Sequence, residues 1–251
     1  MELQGRTAII TGGAVRLGKA ICLALAEEGC QIVLHYGHSE AEANATLQEL
    51  HGLGIKCVAV CADLLQPEKA VKRIFDAALA EFGSVEILIN NAAIFESGTL
   101  ADLTDDIWNR HQTINLKSPV FLAKEFHARR KTEATESTKH ISRGHIINIA
   151  DWRGTHPVPG HLAYTVAKGG LVTLTKLLAQ ELGPDIQVNA IAPGAILPAP
   201  ESSPEDFQKR ADSNPLRQTG SPEDVTQALL FLLRSEFVTG EVIHVTGGEH
   251  L

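Results

Sequence analysis

Tyr164 and Lys168 stand four positions apart in Tyr164-Thr165-Val166-Ala167-Lys168, and Asp151 lies thirteen residues before the tyrosine. Positions four apart on a helix share one face, a turn above one another, so a helix here presents a hydroxyl and an ammonium to the same cleft. A nearby ammonium stabilises a phenolate, which makes Tyr164 a candidate general acid. The same spacing also arises as an exposed aromatic–cation pair on many helices. What sets this pair apart is its company: a Gly-rich loop, an Asn-Asn-Ala turn and a second polar strand end fall in the same chain, in the order one fold needs.

The Gly-rich stretch is Thr11 to Gly18 (TGGAVRLG). A strand, then glycines, then a helix places backbone N–H groups and a positive helix end against a pyrophosphate. Gly12 supplies the tight turn, Leu17 follows in the loop, and Gly18 lets the helix pack close. Arg16 stands where a third glycine is often found, and a cation is poorly suited to a helix start unless it serves an anion. It is read here as a fixed charge beside the phosphates. An Asp or Glu at the end of the second strand would bind the adenine ribose hydroxyls of NAD. This chain has His35-Tyr36-Gly37-His38-Ser39 instead, with no acid until Glu40. Arg16, His38 and Ser39 can receive a 2′-phosphate, which predicts NADP(H), with a preference softened because histidine is mostly neutral at pH 7. Asp63, after the third strand, suits an adenine contact or a turn cap. Asn90, at the end of the fourth strand, can brace the cofactor ribose or neighbouring backbone.

The elements that position these groups are legible from apolar runs punctuated by Gly and Pro. Strands are predicted over residues 7–10, 31–35, 56–61, 85–89, 145–150, 187–192 and 241–245. Helices are predicted over 19–28, 40–51, 67–82, 104–110, 116–130, 162–182 and 222–233, the last with Ser221 as N-cap and Pro222 at its first position. Strands alternating with helices of this length imply right-handed βαβ units and a parallel sheet covered on both faces. The fold class expected is α/β, a doubly wound Rossmann fold of about seven strands in one domain, residues 1–251. Residues 131–143 are polar without an apolar stripe and read as a surface connection. Residues 195–219, rich in Pro and Ser and without periodicity, read as a lid over a site.

Composition narrows the function classes. The 251 residues are 44% apolar and carry a formal net charge of −8. With no basic block, a nucleic-acid or anionic-membrane partner is not expected. No apolar run approaches the roughly 18 residues of a membrane span, and Met1 runs straight into a strand rather than a leader. Four cysteines without a C-x-x-C pair suit small buried thiols in a reduced, cytoplasmic chain. Eleven histidines lack metal-ligand spacing, so no metal site is expected.

Taken together, TGGAVRLG, Asp63-Leu64, Asn90-Asn91-Ala92-Ala93, Asn115, Asp151, the Tyr164–Lys168 run and Asn189-Ala190-Ile191-Ala192-Pro193-Gly194 resemble the short-chain dehydrogenase/reductase family over nearly the whole chain. The resemblance implies that Tyr164 exchanges the substrate proton, that Lys168 binds the nicotinamide ribose, and that Asn115 supports a proton-relay water. It counts His35, Tyr36, Asp63, Leu64, Asn91 and Ala92 with the cofactor residues and puts Pro193-Gly194 at the nicotinamide pocket, with Thr239-Gly240 and Gly247-Gly248 at its far end. Family members usually form dimers or tetramers through the two long helices, and by that resemblance a homotetramer is expected. Most of the family has Ser at the position of Asp151; an ionised carboxylate there would repel a developing alkoxide and suits a substrate that carries donors or is protonated on nitrogen.

Arg16, the His35–Ser39 strand end, Asp151 and Phe95, five residues beyond Asn90, are similar to the pteridine reductases and the related dihydromonapterin/dihydrofolate reductases. By that resemblance Phe95 stacks on a pterin opposite the nicotinamide, where the alternative is plain core packing, and Arg16 reaches the pterin's polar edge. Ala93 departs from the usual Ser and His38 from the usual Arg or Asn. Trp152 either shapes the pocket or packs structurally. The function expected is NADPH-dependent reduction of a dihydropterin- or dihydrofolate-type substrate. The alternatives are a carbonyl reductase of the 3-oxoacyl thioester type and, in another class, a catalytically silent NADPH-binding sensor or scaffold.

Overall fold

A computed structural model describes residues 1–133, 144–198 and 203–251. Seven parallel strands form one sheet: β1 (Thr7–Ile10), β2 (Gln31–Tyr36), β3 (Cys57–Cys61), β4 (Ile87–Asn90), β5 (Gly144–Ile149), β6 (Ile186–Pro193) and β7 (Val242–Val245), in the order β3-β2-β1-β4-β5-β6-β7. The order reverses between β1 and β4, which opens a crevice beyond their carboxyl ends. Because successive side chains point to opposite faces, neighbouring residues on each central strand serve different cores. Ile10, Leu34, Ile89 and Ile147 face α1 (Arg16–Glu27) and, near the other edge, α8 (Pro222–Arg234). Ile9, Val33, Leu88 and Ile146 face the layer that contains Phe75 of α3 (Pro67–Phe82) and Phe126 of α5 (Ser118–Glu133). The strands are therefore continuous apolar runs, as burial on both faces demands.

Helix α2 (Glu40–Gly52) links β2 to β3, and α6 (Leu162–Leu182) links β5 to β6, both close to their expected bounds. Three expectations are corrected. Helix α1 starts at Arg16 rather than Lys19, because Gly18 must lie in its first turn against the loop: a Cβ there would sit 1.9 Å from the Gly12 carbonyl oxygen. Helix α4 (Asp105–Gln112), capped by Thr104, runs through a π-helical turn at Thr113–Lys117 directly into α5, with no break between them. Within the expected lid, α7 (Pro204–Ser213) is a helix, its first turn closed by Ser203 Oγ accepting from the Asp206 N–H at 3.1 Å. Of the polar connection, Lys131–Glu133 continue α5, and residues 134–143 lie outside the described residues, as do 199–202 of the lid.

Cys22 and Cys30 are buried, and burial pushes the Cys30 thiol up to about 12. Cys57 and Cys61, expected buried, are only partly so. No helix among the described residues is long and apolar enough to cross a membrane.

Candidate active site

The crevice holds a cavity of about 360 Å³ whose lining includes Gly12, Arg16, Leu17, Gly18, His35, His38, Asp63, Leu64, Asn91 and Ala92, with Ala93 and Ile114. Its walls are hydrogen-bonded before any ligand arrives. Thr11 Oγ1 accepts from the N–H groups of Asn91 (2.9 Å) and Ala92 (3.0 Å). The Asn91 amide donates to the carbonyls of Thr11 (2.8 Å) and Gly12 (3.1 Å). His35 is buried; its Nδ1 lies 3.2 Å from the Gly12 nitrogen and its Nε2 2.9 Å from the Ala62 carbonyl oxygen. That geometry suits a neutral ring protonated on Nε2, accepting from Gly12 and donating to Ala62. Burial pushes its pKa below the usual histidine range and keeps it neutral. His35 thus acts on a cofactor through the loop it anchors.

Arg16 adopts φ 54°, a left-handed conformation that L side chains rarely take and that costs about 1–2 kcal/mol. Its Nη2 donates to the Pro198 carbonyl at 2.7 Å, joining the nucleotide loop to the segment after β6. His38 is exposed and lines the cavity, whereas Tyr36 and Ser39 do not line it; Ser39 precedes the first residue of α2. Asp63 lines the cavity and also caps its turn, accepting from the Leu65 N–H at 2.9 Å. Asn90 is corrected: its amide donates to Asn148 Oδ1 (2.8 Å), whose own amide donates to Thr175 Oγ1 (2.9 Å), so it serves a buried polar chain under the sheet. Glycines that allow close backbone approach, a cation in the loop and the absence of an acid at the end of β2 are a donor set that fits a dinucleotide with a 2′-phosphate.

The other wall is built from side chains. Tyr164 is buried on the first turn of α6, and its hydroxyl donates to Oδ2 of Asp151 at 2.9 Å. One turn on, Lys168 Nζ donates to the Ile149 carbonyl at 2.6 Å and lies 5.7 Å from the Tyr164 ring centre. Desolvation pushes Lys168 down to about 8, against the opposing pull of the Asp151 charge. Asn115 sits on the π-helical turn, fully buried, and clamps one residue twice: Oδ1 accepts from the Ile94 N–H (2.9 Å) and Nδ2 donates to the Ile94 carbonyl (3.0 Å). Such turns re-aim a helix locally, here to hold the loop that carries Phe95.

Phe95 is 42% exposed, which excludes core packing. Its ring stacks on His161 (4.2 Å, 21°) and meets Tyr164 edge-on (4.7 Å, 79°). Trp152 is buried, and the Arg153 guanidinium lies 4.8 Å from its ring centre. Pro193-Gly194 close β6; the Gly194 N–H donates to the Val245 carbonyl at 2.9 Å, and a Cβ on it would meet Thr246 Cα at 2.9 Å. Thr239-Gly240 and Gly247-Gly248, expected together, flank opposite ends of β7. Sequence reasoning missed Thr11, His161 and Arg153. A cation two residues after Asp151 and an aromatic three residues before Tyr164 were the available signals.

A doubly wound α/β sheet with a glycine loop at the switch point, and Tyr, Lys and a polar partner beside it, is a nicotinamide-type oxidoreductase architecture. The chain belongs to the short-chain dehydrogenase/reductase family. Residues 13–250 match the family model described as Enoyl-(Acyl carrier protein) reductase. A short-chain type dehydrogenase/reductase of Picea abies is 32% identical, covering 98% of this chain and 93% of that one. A 3-oxoacyl-[acyl-carrier-protein] reductase FabG of Staphylococcus epidermidis is 31% identical, covering 99% of this chain and 100% of that one. The crystal structure of FolM alternative dihydrofolate reductase 1 from Brucella canis complexed with NADP superposes with a TM-score of 0.90 at 32% identity, covering 99% of this chain and 95% of that one.

Proposed function

We propose that residues 1–251 act as one NADP(H)-binding domain that reduces a dihydropteridine-type substrate, a dihydropterin or dihydrofolate. The observation that carries this reading is the hydrogen bond from Tyr164 to Asp151 directly beside the exposed Phe95 ring. When bound, NADPH supplies a hydride from C4 of its nicotinamide, held by the glycine loop, Arg16, His38, Asn91, Ala92 and the Pro193-Gly194 turn. A substrate ring lying on Phe95 would present its C=N carbon to that hydride. Tyr164 turns its hydroxyl from Asp151 to the adjacent nitrogen and gives up the proton, so the bond becomes CH–NH. Lys168, held by the Ile149 carbonyl, stabilises the tyrosinate that results. Asp151, an acceptor only, then receives the new N–H, whereas the alkoxide that develops when a ketone takes a hydride would be repelled by the carboxylate. Asn115 holds the Phe95 loop and supports the water that returns the proton.

A second reading, reduction of a 3-oxoacyl thioester, is favoured by the FabG-type relative, as similar in identity as the FolM structure. NADPH oxidation measured side by side with a dihydropterin, dihydrofolate and a 3-oxoacyl thioester, and repeated with NADH, tests the proposal. Pterin- or folate-dependent oxidation with NADPH is expected. Oxidation with the thioester alone contradicts the reading, and silence with all three brings forward the sensor alternative. The chain is further proposed to be cytoplasmic and to form a homotetramer through α5 and α6, whose exposed Val120, Val166 and Leu177 suit burial against a second copy. Light scattering on the eluting protein checks the assembly.

A further inference from the structure

Arg153 is the least satisfied charged group beside the site. Its side chain is only 12% exposed, yet a guanidinium has five N–H donors and no acceptor. Its single side-chain polar contact among the described residues is the 3.5 Å approach of Nη1 to Oδ1 of Asp151, and Nε is buried with no partner. Leaving donors unused in a nearly buried cation is costly. The side chain is nonetheless held in place, its Cζ 4.8 Å from the Trp152 ring centre and 5.8 Å from that of Phe95. Asp151 is locked as well, Oδ1 by the Arg153 backbone N–H at 2.8 Å and Oδ2 by the Tyr164 hydroxyl. An obligate acceptor and an obligate donor therefore stand side by side next to the exposed ring.

We propose that Arg153 is a substrate-binding residue, its guanidinium and the Asp151 carboxylate together reading the edge of a flat heterocycle that lies on Phe95. An edge with an N–H beside a carbonyl satisfies both groups at once, and a dihydropteridine reduced at its C=N has such an edge, where the new N–H stands beside the pyrimidinone carbonyl. A ketone or thioester offers acceptors alone and so can answer Arg153 but brings no donor of its own to the carboxylate. The proposal rests on the dihydropteridine reading above and names the residue that would give it specificity.

The test is steady-state kinetics of wild type, Arg153→Met and Arg153→Lys with a dihydropteridine at saturating NADPH, with NADPH affinity followed by fluorescence. In Arg153→Met the KM for the dihydropteridine rises at least about tenfold, kcat stays within about threefold and NADPH affinity within about twofold, while Arg153→Lys falls between, because a point charge replaces a planar fork. An unchanged KM in Arg153→Met overturns the proposal. So does a fall in kcat alone that Arg153→Lys restores, since Arg153 would then only position Asp151. Should the methionine variant fail to fold, a wild-type KM in Arg153→Lys overturns it equally. Wild type that ignores dihydropteridines removes the functional reading and the proposal together, whereas an active wild type with an insensitive Arg153→Met removes the proposal alone.

Discussion

The two walls of the crevice are built on opposite principles. On the nucleotide side, the groups that shape the loop have their partners already: Thr11 holds two N–H groups, Asn91 two carbonyls, and neutral His35 bridges Gly12 and Ala62. On the catalytic side the charged groups are held against their preference. Lys168 is pushed down to about 8 by desolvation, and Arg153 keeps a buried Nε without a partner. A wall of satisfied backbone recognises the invariant part of a ligand by shape. A wall of under-satisfied side chains keeps its unused interactions for the reacting part, where they act on the transition state.

The contrast predicts that changes on the catalytic wall cost turnover and changes on the nucleotide wall cost cofactor affinity. Tyr164→Phe removes the proton donor and should lower kcat by roughly 10²–10⁴-fold with NADPH affinity little changed, read by single-turnover kinetics and fluorescence titration. A loss of NADPH binding in that variant would make Tyr164 structural. Lys168 supplies a pH test. Its folded pKa lies below its ordinary value of 10.5, so between about 8 and 10.5 the unfolded chain binds the proton that the folded chain has released. The penalty for burying the charge is full below that window and is relieved as pH rises through it, by about 3 kcal/mol. Denaturant melts without cofactor should show that rise in wild type, and Lys168→Met should flatten it.

On the other wall, Gly18→Ala forces a methyl into the Gly12 carbonyl and should destabilise the fold by about 1–3 kcal/mol and weaken NADPH binding. His35→Phe orphans the Gly12 N–H and the Ala62 carbonyl, and should cost about 1–3 kcal/mol by thermal melt and raise the NADPH KM while leaving kcat near wild type. If kcat fell as steeply as affinity in either variant, the division of labour between the walls would be wrong.

Most of the sheet is legible in the sequence because its signals are local. Apolar runs such as Thr7–Ile10 and Ile186–Pro193 end at glycine or proline turns, and Pro67 and Pro222 open helices where proline's missing N–H costs nothing. Helix α7 was hidden because it is largely exposed and is held by the Ser203 cap and an acidic first turn rather than by an apolar stripe. The π-helical turn at Thr113–Lys117 was hidden because a change in backbone hydrogen-bond register leaves no mark on side-chain spacing. At the site, the Tyr164–Lys168 spacing needed only helix geometry. The parts of Asn90, His35 and Arg153 depend on partners 58, 23 to 27 and, for the Phe95 ring, 58 residues away along the chain, which no local pattern encodes.

The central claim is that Asp151 selects a substrate protonated on nitrogen over one protonated on oxygen. The most direct measurement is the ratio of kcat/KM for a dihydropteridine to that for a 3-oxoacyl thioester, in wild type and in Asp151→Ser. The account predicts that wild type favours the dihydropteridine by at least about 10²-fold and that the serine variant moves the ratio toward the thioester by about tenfold or more. A wild type that prefers the thioester, or a ratio that Asp151→Ser leaves unmoved, would contradict it.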